Sequence, residues 1–238
     1  MTFFTEEMSS LREPFDSHQT PFLRQLGAQD ANALLERLHR RVVPKSSPVL
    51  RAGSAGEDVI VVLEGRVKLV AAGAGGREVV LAIRGAGELI GEMAVLGGIR
   101  RTATGVAVDE VEVGSISGED FRAFLAEHPD VGLVLIRMLV RRLAEADRDR
   151  IDLATHDSIG RVAKRLLELA ADHGVPAEVG RKIDLSLSQD ELASWTGATR
   201  ETVSRALRLM RTLGWIATDR RAITVLDPAA LRRRGSGG

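Results

Sequence analysis

Short runs of branched apolar residues, each ended by glycine or a turn pair, dominate residues 48–117. No helical crossover separates these runs, a pattern typical of a β-sandwich or barrel and not of a parallel sheet. The predicted strands are 48–51, 59–63, 67–72, 78–83, 102–108 and 111–116. We therefore expect a β-rich domain in the first half of the chain.

Apolar residues at spacings of three and four occur on both sides of this region and predict helices. The expected helices are 28–41, 119–127 and a long one at about 130–154. Five apolar residues of the long helix could pair with an identical helix or pack against the strand domain. They are Ile136, Leu139, Leu143, Ala146 and Leu153, with Arg150 interrupting the row. A homodimer joined along this seam is one expectation.

The next helical pattern defines a domain boundary. Asp157 is a suitable N-cap for a helix over 158–173, which Gly174 and Pro176 end. The boundary is therefore expected near 155–157. The expected divisions are an N-terminal extension at 1–20, a β-rich domain at 21–128, the long helix at 129–156, a C-terminal domain at 157–231 and a flexible tail at 232–238.

A helix-turn-helix is predicted within the C-terminal domain. Ser188 precedes Glu191 by three residues, the signature of a capping box that starts a helix. Gly197 ends that helix, and a second one begins after Thr199. Two short helices joined by a three-residue turn with glycine are typical of a DNA-binding motif. The runs 215–218 and 222–226, joined around residues 219–221, predict a hairpin wing beside it.

The second helix carries side chains suited to the major groove. Arginine can donate two hydrogen bonds to guanine and glutamate can accept one from cytosine, so Arg200, Glu201 and Arg205 are candidate base readers. Hydroxyls near a helix N-terminus suit phosphate. The candidate DNA-binding residues are Ser188, Gln189, Thr199, Arg200, Glu201, Thr202, Ser204 and Arg205. The alternative is an amphipathic helical hairpin whose arginines are only solvated.

Composition and charge narrow the choice of function. The chain has no cysteine, which excludes disulfides, iron–sulfur clusters and cysteine-based zinc sites, and a reducing cytoplasm fits best. Neither a secretory signal nor a membrane span is expected. Five histidines lack metal-binding spacing and no catalytic motif occurs, so no catalytic residue, metal site or prosthetic group is predicted. Residues 157–238 carry 14 Lys and Arg against 10 Asp and Glu, which favours phosphate contact there.

The segment Gly-Ala-Thr-Arg-Glu-Thr-Val-Ser-Arg at 197–205 resembles the recognition segment of the CRP/FNR family of bacterial regulators. That resemblance implies an α+β architecture: an N-terminal cyclic-nucleotide-binding β-roll of jelly-roll type, a long dimerisation helix and a C-terminal winged helix-turn-helix. It also implies a homodimer on double-stranded DNA with TGTGA-like half-sites, and RNA polymerase as a further partner. Arg200, Glu201 and Arg205 match the residues that read such half-sites.

A second segment, at 87–94 and 100–104, has the chemistry of a phosphate site. Gly91 lets backbone N–H groups approach an anion, Arg101 and Thr102 can donate to phosphate, and Glu92 can accept from a ribose hydroxyl. Taken singly, the same residues are also typical of a strand end, a helix terminus and surface charge. Together they are similar to the phosphate-binding cassette of cyclic-nucleotide-binding domains. The candidate effector residues are Gly91, Glu92, Met93, Ala94, Arg101, Thr102, Arg142, Ala146 and Asp147.

The choice of effector stays open at the sequence level. Ala146 and Asp147 occupy the positions where cyclic AMP receptors place Thr and Ser against adenine, and Arg142 is either a neighbour of the ligand or an exposed charge. The alternatives are cyclic AMP, another cyclic nucleotide, a different effector, and DNA binding without a ligand. A nucleotide-sensing module that contacts protein through its helical C-terminus is an alternative of another class.

Overall fold

The computed structural model describes residues 20–73, 76, 78–219 and 222–236. Backbone contacts divide the described chain into two compact units, Thr20–Ala146 and the part that begins at Asp147. The division falls inside one long helix. Nearly all of the predicted N-terminal extension, the two arginines of the predicted wing turn and the last two residues of the tail lie outside the described residues.

The first unit is a roll of two four-stranded antiparallel sheets with helices at its ends. Its strands are β1 (His39–Val43), β2 (Pro48–Leu50), β3 (Asp58–Glu64), β4 (Val67–Ala72), β5 (Glu78–Arg84), β6 (Leu89–Ile90), β7 (Thr104–Ala107) and β8 (Val111–Ser117). One sheet has the order β1-β8-β3-β6 and the other β2-β7-β4-β5. The helices are a 3₁₀ turn (Phe22–Gln25), α1 (Ala28–Glu36), α2 (Glu92–Gly97), α3 (Gly118–Glu127) and α4 (Pro129–Thr155), the last of which continues into the second unit. This confirms the predicted β-rich domain.

The continuous apolar run of β3 results from burial on both faces of the strand. Val59 and Val61 belong to a core shared with α3 and with Leu135 of α4. Ile60 and Val62 belong to a second core between the sheets. Side chains of a strand alternate between its faces, so a strand buried on both sides needs apolar residues throughout.

One predicted element is wrong in its extent. The helix expected over 28–41 ends at Glu36, and His39–Val43 form strand β1. This strand pairs antiparallel with β8, with His39 opposite Ser115 and Val43 opposite Val111. The paired residues lie 68 to 76 positions apart. Local helical periodicity is a weak determinant, and this tertiary strand pairing overrides it.

The second unit is a set of helices around a small sheet. Its helices are α5 (Ser158–His173), α6 (Gln189–Thr196), α7 (Arg200–Thr212) and α8 (Pro228–Gly235). Its strands are β9 (Gly174–Pro176), β10 (Arg181–Ile183), β11 (Ile216–Asp219) and β12 (Ala222–Val225), in the order β11-β12-β10-β9. The predicted hairpin wing is therefore present as β11 and β12, and it is extended by two short strands that the sequence pattern did not reveal.

The predicted flexible tail is wrong as far as Gly235. Pro228–Gly235 form α8, which Asp227 caps by accepting a 2.8 Å hydrogen bond from the backbone N–H of Ala230. Leu231 and Gly235 are buried, and a side chain at Gly235 would meet Lys164 of α5. Three consecutive arginines follow Leu231, so the sequence shows no apolar period there that would predict a helix. Among the described residues, no helix is both long and apolar enough to cross a lipid bilayer.

Candidate functional site

The turn that starts α2 is shaped by glycine. Gly91 has φ of +86°, a left-handed conformation that other residues adopt only with strain. A Cβ at this position would lie 1.8 Å from Nη1 of Arg101, so the guanidinium rests directly against the turn. Two residues predicted to share a site are thereby in contact.

Arg101 is a buried cation. Only 5% of the residue is exposed, and its guanidinium is bound by three oxygens. Nη1 donates to the Gly91 carbonyl at 2.9 Å, while Nη2 donates to the carbonyl of Asp58 at 2.6 Å and to its Oδ1 at 2.5 Å. Asp58, the first residue of β3, was not a predicted site residue. It lies 43 residues away in sequence, and no local pattern indicates the contact.

Glu92 is a buried carboxylate, and one of its two oxygens accepts a hydrogen bond. The residue is 2% exposed, and its Oε1 accepts a 2.7 Å hydrogen bond from Nη1 of Arg142 on α4. Its Oε2 is buried without a hydrogen-bond partner in the described part of the chain. A buried acceptor left unpaired costs free energy, so this oxygen is a natural partner for a hydroxyl group from outside.

Arg142 is not a solvated helix charge. Its Nη2 donates to the Leu89 carbonyl at 2.9 Å and lies 3.8 Å from Glu88, in addition to the contact with Glu92. Burial lowers the pKa of Arg142, as does the charge of Arg84, whereas Glu92 and Glu88 oppose that shift. Arg142 therefore packs against the predicted pocket and is not the exposed helix charge that the sequence left as an alternative.

The other predicted effector residues lie in more varied places. Ala94 is buried, whereas Met93 and Thr102 are exposed. On α4, Ala146 and Asp147 are both exposed, one turn beyond Arg142. Oδ1 of Asp147 accepts a 3.1 Å hydrogen bond from Nη1 of Arg150, three residues later on the same helix.

The arrangement around Gly91 suits a ligand that carries both an anion and a hydroxyl. Arg101 supplies buried positive charge, Glu92 supplies a buried acceptor, and the Gly91 turn joins them. A sugar phosphate combines the matching groups. Within the described ranges, no three His, Asp or Glu side chains gather in a way that could hold a metal ion.

Local hydrogen bonds cap the ends of the two helices of the helix-turn-helix. Ser188 Oγ accepts a 3.1 Å hydrogen bond from the Glu191 N–H, and Glu191 Oε2 accepts one of 2.8 Å from the Ser188 N–H. This confirms the predicted capping box at the start of α6. Gly197, with φ of +59°, ends α6, and Thr199 caps α7 by accepting from the Thr202 N–H at 3.2 Å.

Helix α7 separates an apolar face from a polar one. Its buried residues are Val203, Ala206, Leu207 and Met210. Arg200, Glu201 and Arg205 are exposed, Ser204 is half-buried, and Gln189 at the start of α6 is exposed. The candidate base readers therefore project from the unit, as a groove-reading helix requires.

Two of the candidate base readers have partners within the chain. Arg200 lies 3.4 Å from the Asp190 carboxylate in an exposed ion pair. The backbone N–H of Glu201 itself and the Thr199 side chain lower the pKa of the Glu201 carboxyl. Glu201 is consequently an ionised acceptor at neutral pH, the form that would accept from a cytosine amine.

The predicted seam on α4 is exposed for most of its length. Ile136, Leu143 and Leu153 are exposed apolar residues. Leu139 instead packs, partly buried, against the core of its own unit. Val140, the next residue, is exposed and lies four residues after Ile136 and three before Leu143. The exposed apolar row therefore includes Val140 in place of Leu139.

Comparisons with protein families identify both units. A family model described as a cyclic nucleotide-binding domain matches residues 40–128. A second, described as a Crp-like helix-turn-helix domain, matches residues 160–234. The two matches cover the roll that holds Gly91, Glu92 and Arg101 and the unit that holds α6 and α7.

Similar solved structures share this architecture. The c-di-GMP responsive global regulator CLP of Xanthomonas campestris superposes with a TM-score of 0.74 at 25% identity, covering 84% of this chain and 99% of that chain. The catabolite activator protein of Thermus thermophilus gives a TM-score of 0.53 at 32% identity, covering 92% and 99%. The fold expected from the resemblance is confirmed.

Relatives in sequence extend over most of the chain. A CRP-like cAMP-activated global transcriptional regulator of Mycobacterium tuberculosis is 32% identical over 202 residues, which is 85% of this chain and 90% of that protein. A global nitrogen regulator of Synechocystis sp. is 32% identical over 213 residues, which is 89% of this chain and 92% of that protein. With both domains matched in this order, the chain belongs to the CRP/FNR family of transcriptional regulators.

Proposed function

We propose that this protein is a homodimeric transcriptional regulator that binds DNA through α7 and is controlled by a cyclic nucleotide bound in the β-roll. The observation that carries the proposal is that the Gly91 turn brings two buried groups together: Arg101, which donates to the Gly91 carbonyl, and Glu92, the next residue. A cyclic phosphate is the anion for Arg101, and the ribose hydroxyl is the donor for the unpaired Oε2 of Glu92. Gly91, Ala94 and Arg142 complete the inner pocket, with Met93 and Thr102 at its edge.

Effector binding, dimerisation and DNA binding belong to successive parts of the chain. Residues 21–128 bind the effector, residues 129–156 form the dimerisation helix, and residues 157–231 bind DNA. The exposed apolar row of Ile136, Val140 and Leu143 supports pairing with a second copy, since a lone helix rarely leaves such a row in water. Two α7 helices would then enter successive major grooves about 34–36 Å apart.

DNA reading is assigned to the exposed face of α7. Arg200, Glu201 and Arg205 contact base edges in TGTGA-like half-sites, and the hydroxyls of Thr199 and Thr202 contact phosphate. Ser188 and Gln189 at the start of α6 approach the backbone beside them. RNA polymerase is a further partner of the DNA-bound dimer.

Cyclic AMP is the first effector to test, because the relative from Mycobacterium tuberculosis is described as cAMP-activated. A second candidate is a different nucleotide. Ala146 cannot hydrogen-bond to a base through its side chain, and Asp147 is exposed beside Arg150. A structurally similar regulator is described as c-di-GMP responsive, which supports testing cyclic dinucleotides as well.

The direct test is binding of the full-length protein to a labelled duplex that contains two TGTGA half-sites. Fluorescence anisotropy is measured without effector and with cyclic AMP, cyclic GMP or c-di-GMP. We expect one of these nucleotides to change the affinity for this duplex by roughly 5- to 150-fold, as a coupling of 1–3 kcal/mol gives. A scrambled duplex controls for binding that depends only on charge.

Two outcomes contradict the proposal separately. Equal affinity for the specific and scrambled duplexes would rule out sequence reading by α7. Tight specific binding that no nucleotide changes, together with no nucleotide heat in calorimetry, would rule out control through the roll.

A further inference from the structure

The positive charge of Arg101, the proposed partner of the nucleotide phosphate, is already neutralised by an ion pair within the chain. Arg101 is held by the carboxylate of Asp58, with Nη2 and Oδ1 2.5 Å apart. A carboxylate and a phosphate are alternative partners of one guanidinium. A phosphate that enters this pocket must therefore displace the Asp58 carboxylate or lie beside a like charge.

The two partners differ in their access to water. The Arg101 side chain is 3% exposed, whereas that of Asp58 is 39% exposed. A released Asp58 carboxylate can regain hydration by turning outward, but the Arg101 guanidinium cannot leave the pocket. The carbonyls of Asp58 and Gly91, at 2.6 and 2.9 Å, belong to the backbone and would keep the guanidinium in place. Only the carboxylate contact is free to exchange.

From these contacts we infer that Asp58 is an internal counter-ion that competes with the phosphate of the effector for Arg101. This inference rests on the proposed nucleotide site. Asp58 sets the concentration of nucleotide needed to fill the pocket, because each binding event must break the Arg101–Asp58 ion pair. It also acts as a specificity determinant, since a neutral nucleoside brings no anion to replace the carboxylate.

The test compares three forms of the full-length protein: wild type, Asp58→Asn and Glu57→Gln. Asn removes the charge with little change in shape. Glu57 is the adjacent acid and is exposed, so its substitution removes one negative charge from the same strand end without touching the Arg101 contacts. Calorimetry with cyclic AMP, cyclic GMP and c-di-GMP gives the affinities. We expect Asp58→Asn to bind the effector about 3- to 10-fold more tightly, with Glu57→Gln unchanged.

Inorganic phosphate provides a readout that needs no nucleotide. We expect phosphate to raise the thermal unfolding midpoint of Asp58→Asn more than that of wild type, because Arg101 is then open to an anion. If no nucleotide binds any form but this difference remains, the proposed effector function fails and the role of Asp58 stands. If a nucleotide binds wild type and Asp58→Asn equally, the effector function stands and the role of Asp58 is wrong.

Two further results would overturn the inference. Weaker binding by both Asp58→Asn and Asp58→Ser would mean that Asp58 orients Arg101 and does not compete for it. Equal tightening by Glu57→Gln would mean that long-range charge alone is responsible. If Asp58→Asn fails to fold, Asp58→Ser replaces it in the comparison with wild type and Glu57→Gln.

Discussion

Arg142 on the long helix α4 donates a 2.7 Å hydrogen bond to Oε1 of Glu92, at the start of α2. The two residues are 50 positions apart in sequence and both are largely buried. A ligand that binds at Glu92 therefore acts on a carboxylate already joined to α4. This contact offers a physical route from the pocket to the helix that carries the exposed apolar row.

Breaking this ion pair should destabilise the first unit. Arg142→Met leaves a buried carboxylate without its partner, and we expect a loss of roughly 2–4 kcal/mol in the free energy of unfolding. Glu92→Gln combined with Arg142→Met removes both charges and should recover part of that loss. Urea denaturation of the single and double variants measures the coupling, and strictly additive losses would show that the pair contributes nothing.

Gly91→Ala tests the contact between the turn and Arg101. The added Cβ would meet Nη1 at 1.8 Å, so we expect the guanidinium to shift and nucleotide affinity to fall at least tenfold. Gly98→Ala is the matched control, because Gly98 also has positive φ, at +60°, but has open space around its Cβ position. Calorimetry should show near-normal affinity for the control. Equal losses in both variants would attribute the effect to backbone strain alone.

Arg205→Ala should weaken specific DNA binding by about 1–3 kcal/mol and relax preference at one base pair. Arg208→Ala provides the comparison, since Arg208 is exposed on the same helix three residues later. Anisotropy with a set of single-base-pair variants of the half-site separates the two. A uniform loss across all sequences for Arg205→Ala would make it a phosphate contact and not a base reader.

Leu143→Asp should separate the dimer while the protomer stays folded, because Leu143 is exposed in the chain and faces no core. Analytical ultracentrifugation should show a shift toward monomer. Leu139→Ala should instead lower the stability of the protomer, since Leu139 packs against its own core. Leu81→Asp, on strand β5 and also exposed, is the control for an added surface charge. An unchanged sedimentation coefficient for Leu143→Asp would place the dimer contact elsewhere.

Asp157 should make the second unit sensitive to acid. A hydrogen bond from Arg234 and one from the Gly160 N–H lower the pKa of Asp157 in the folded state. A carboxylate with a lowered folded pKa stabilises above its ordinary pKa, and this contribution is lost as the pH falls through the folded value.

Asp157→Ala should therefore cost about 1 kcal/mol at neutral pH through loss of the N-cap. Asp157→Asn keeps an acceptor for the Gly160 N–H but loses the charge, so its stability should vary less with pH below the ordinary aspartate range. Thermal unfolding between neutral and strongly acidic pH measures both. A wild-type acid dependence that persists unchanged in Asp157→Asn would assign it to other carboxylates.

Features that depend on neighbours within one or two turns could be predicted from the sequence. The Ser188–Glu191 capping box, the Gly197 turn and the Asp157 cap each join residues only a few positions apart, and all three form as expected. Six of the eight described strands of the roll were also predicted, and in β3 burial on both faces leaves a visible apolar run. The motifs at 197–205 and 87–94 pointed to the family because each is a contiguous segment that can be recognised without the tertiary structure.

By itself, then, the sequence determined the order of β-rich domain, long helix and helix-turn-helix, and the candidate phosphate cassette. Tertiary structure decided that residues 39–43 form a strand, that α8 continues to Gly235, and that Arg101 and Glu92 are held by Asp58 and Arg142. These partners lie 43 and 50 residues away. Contacts of that separation leave no periodic trace, because their geometry is fixed only when distant strands and helices pack against one another.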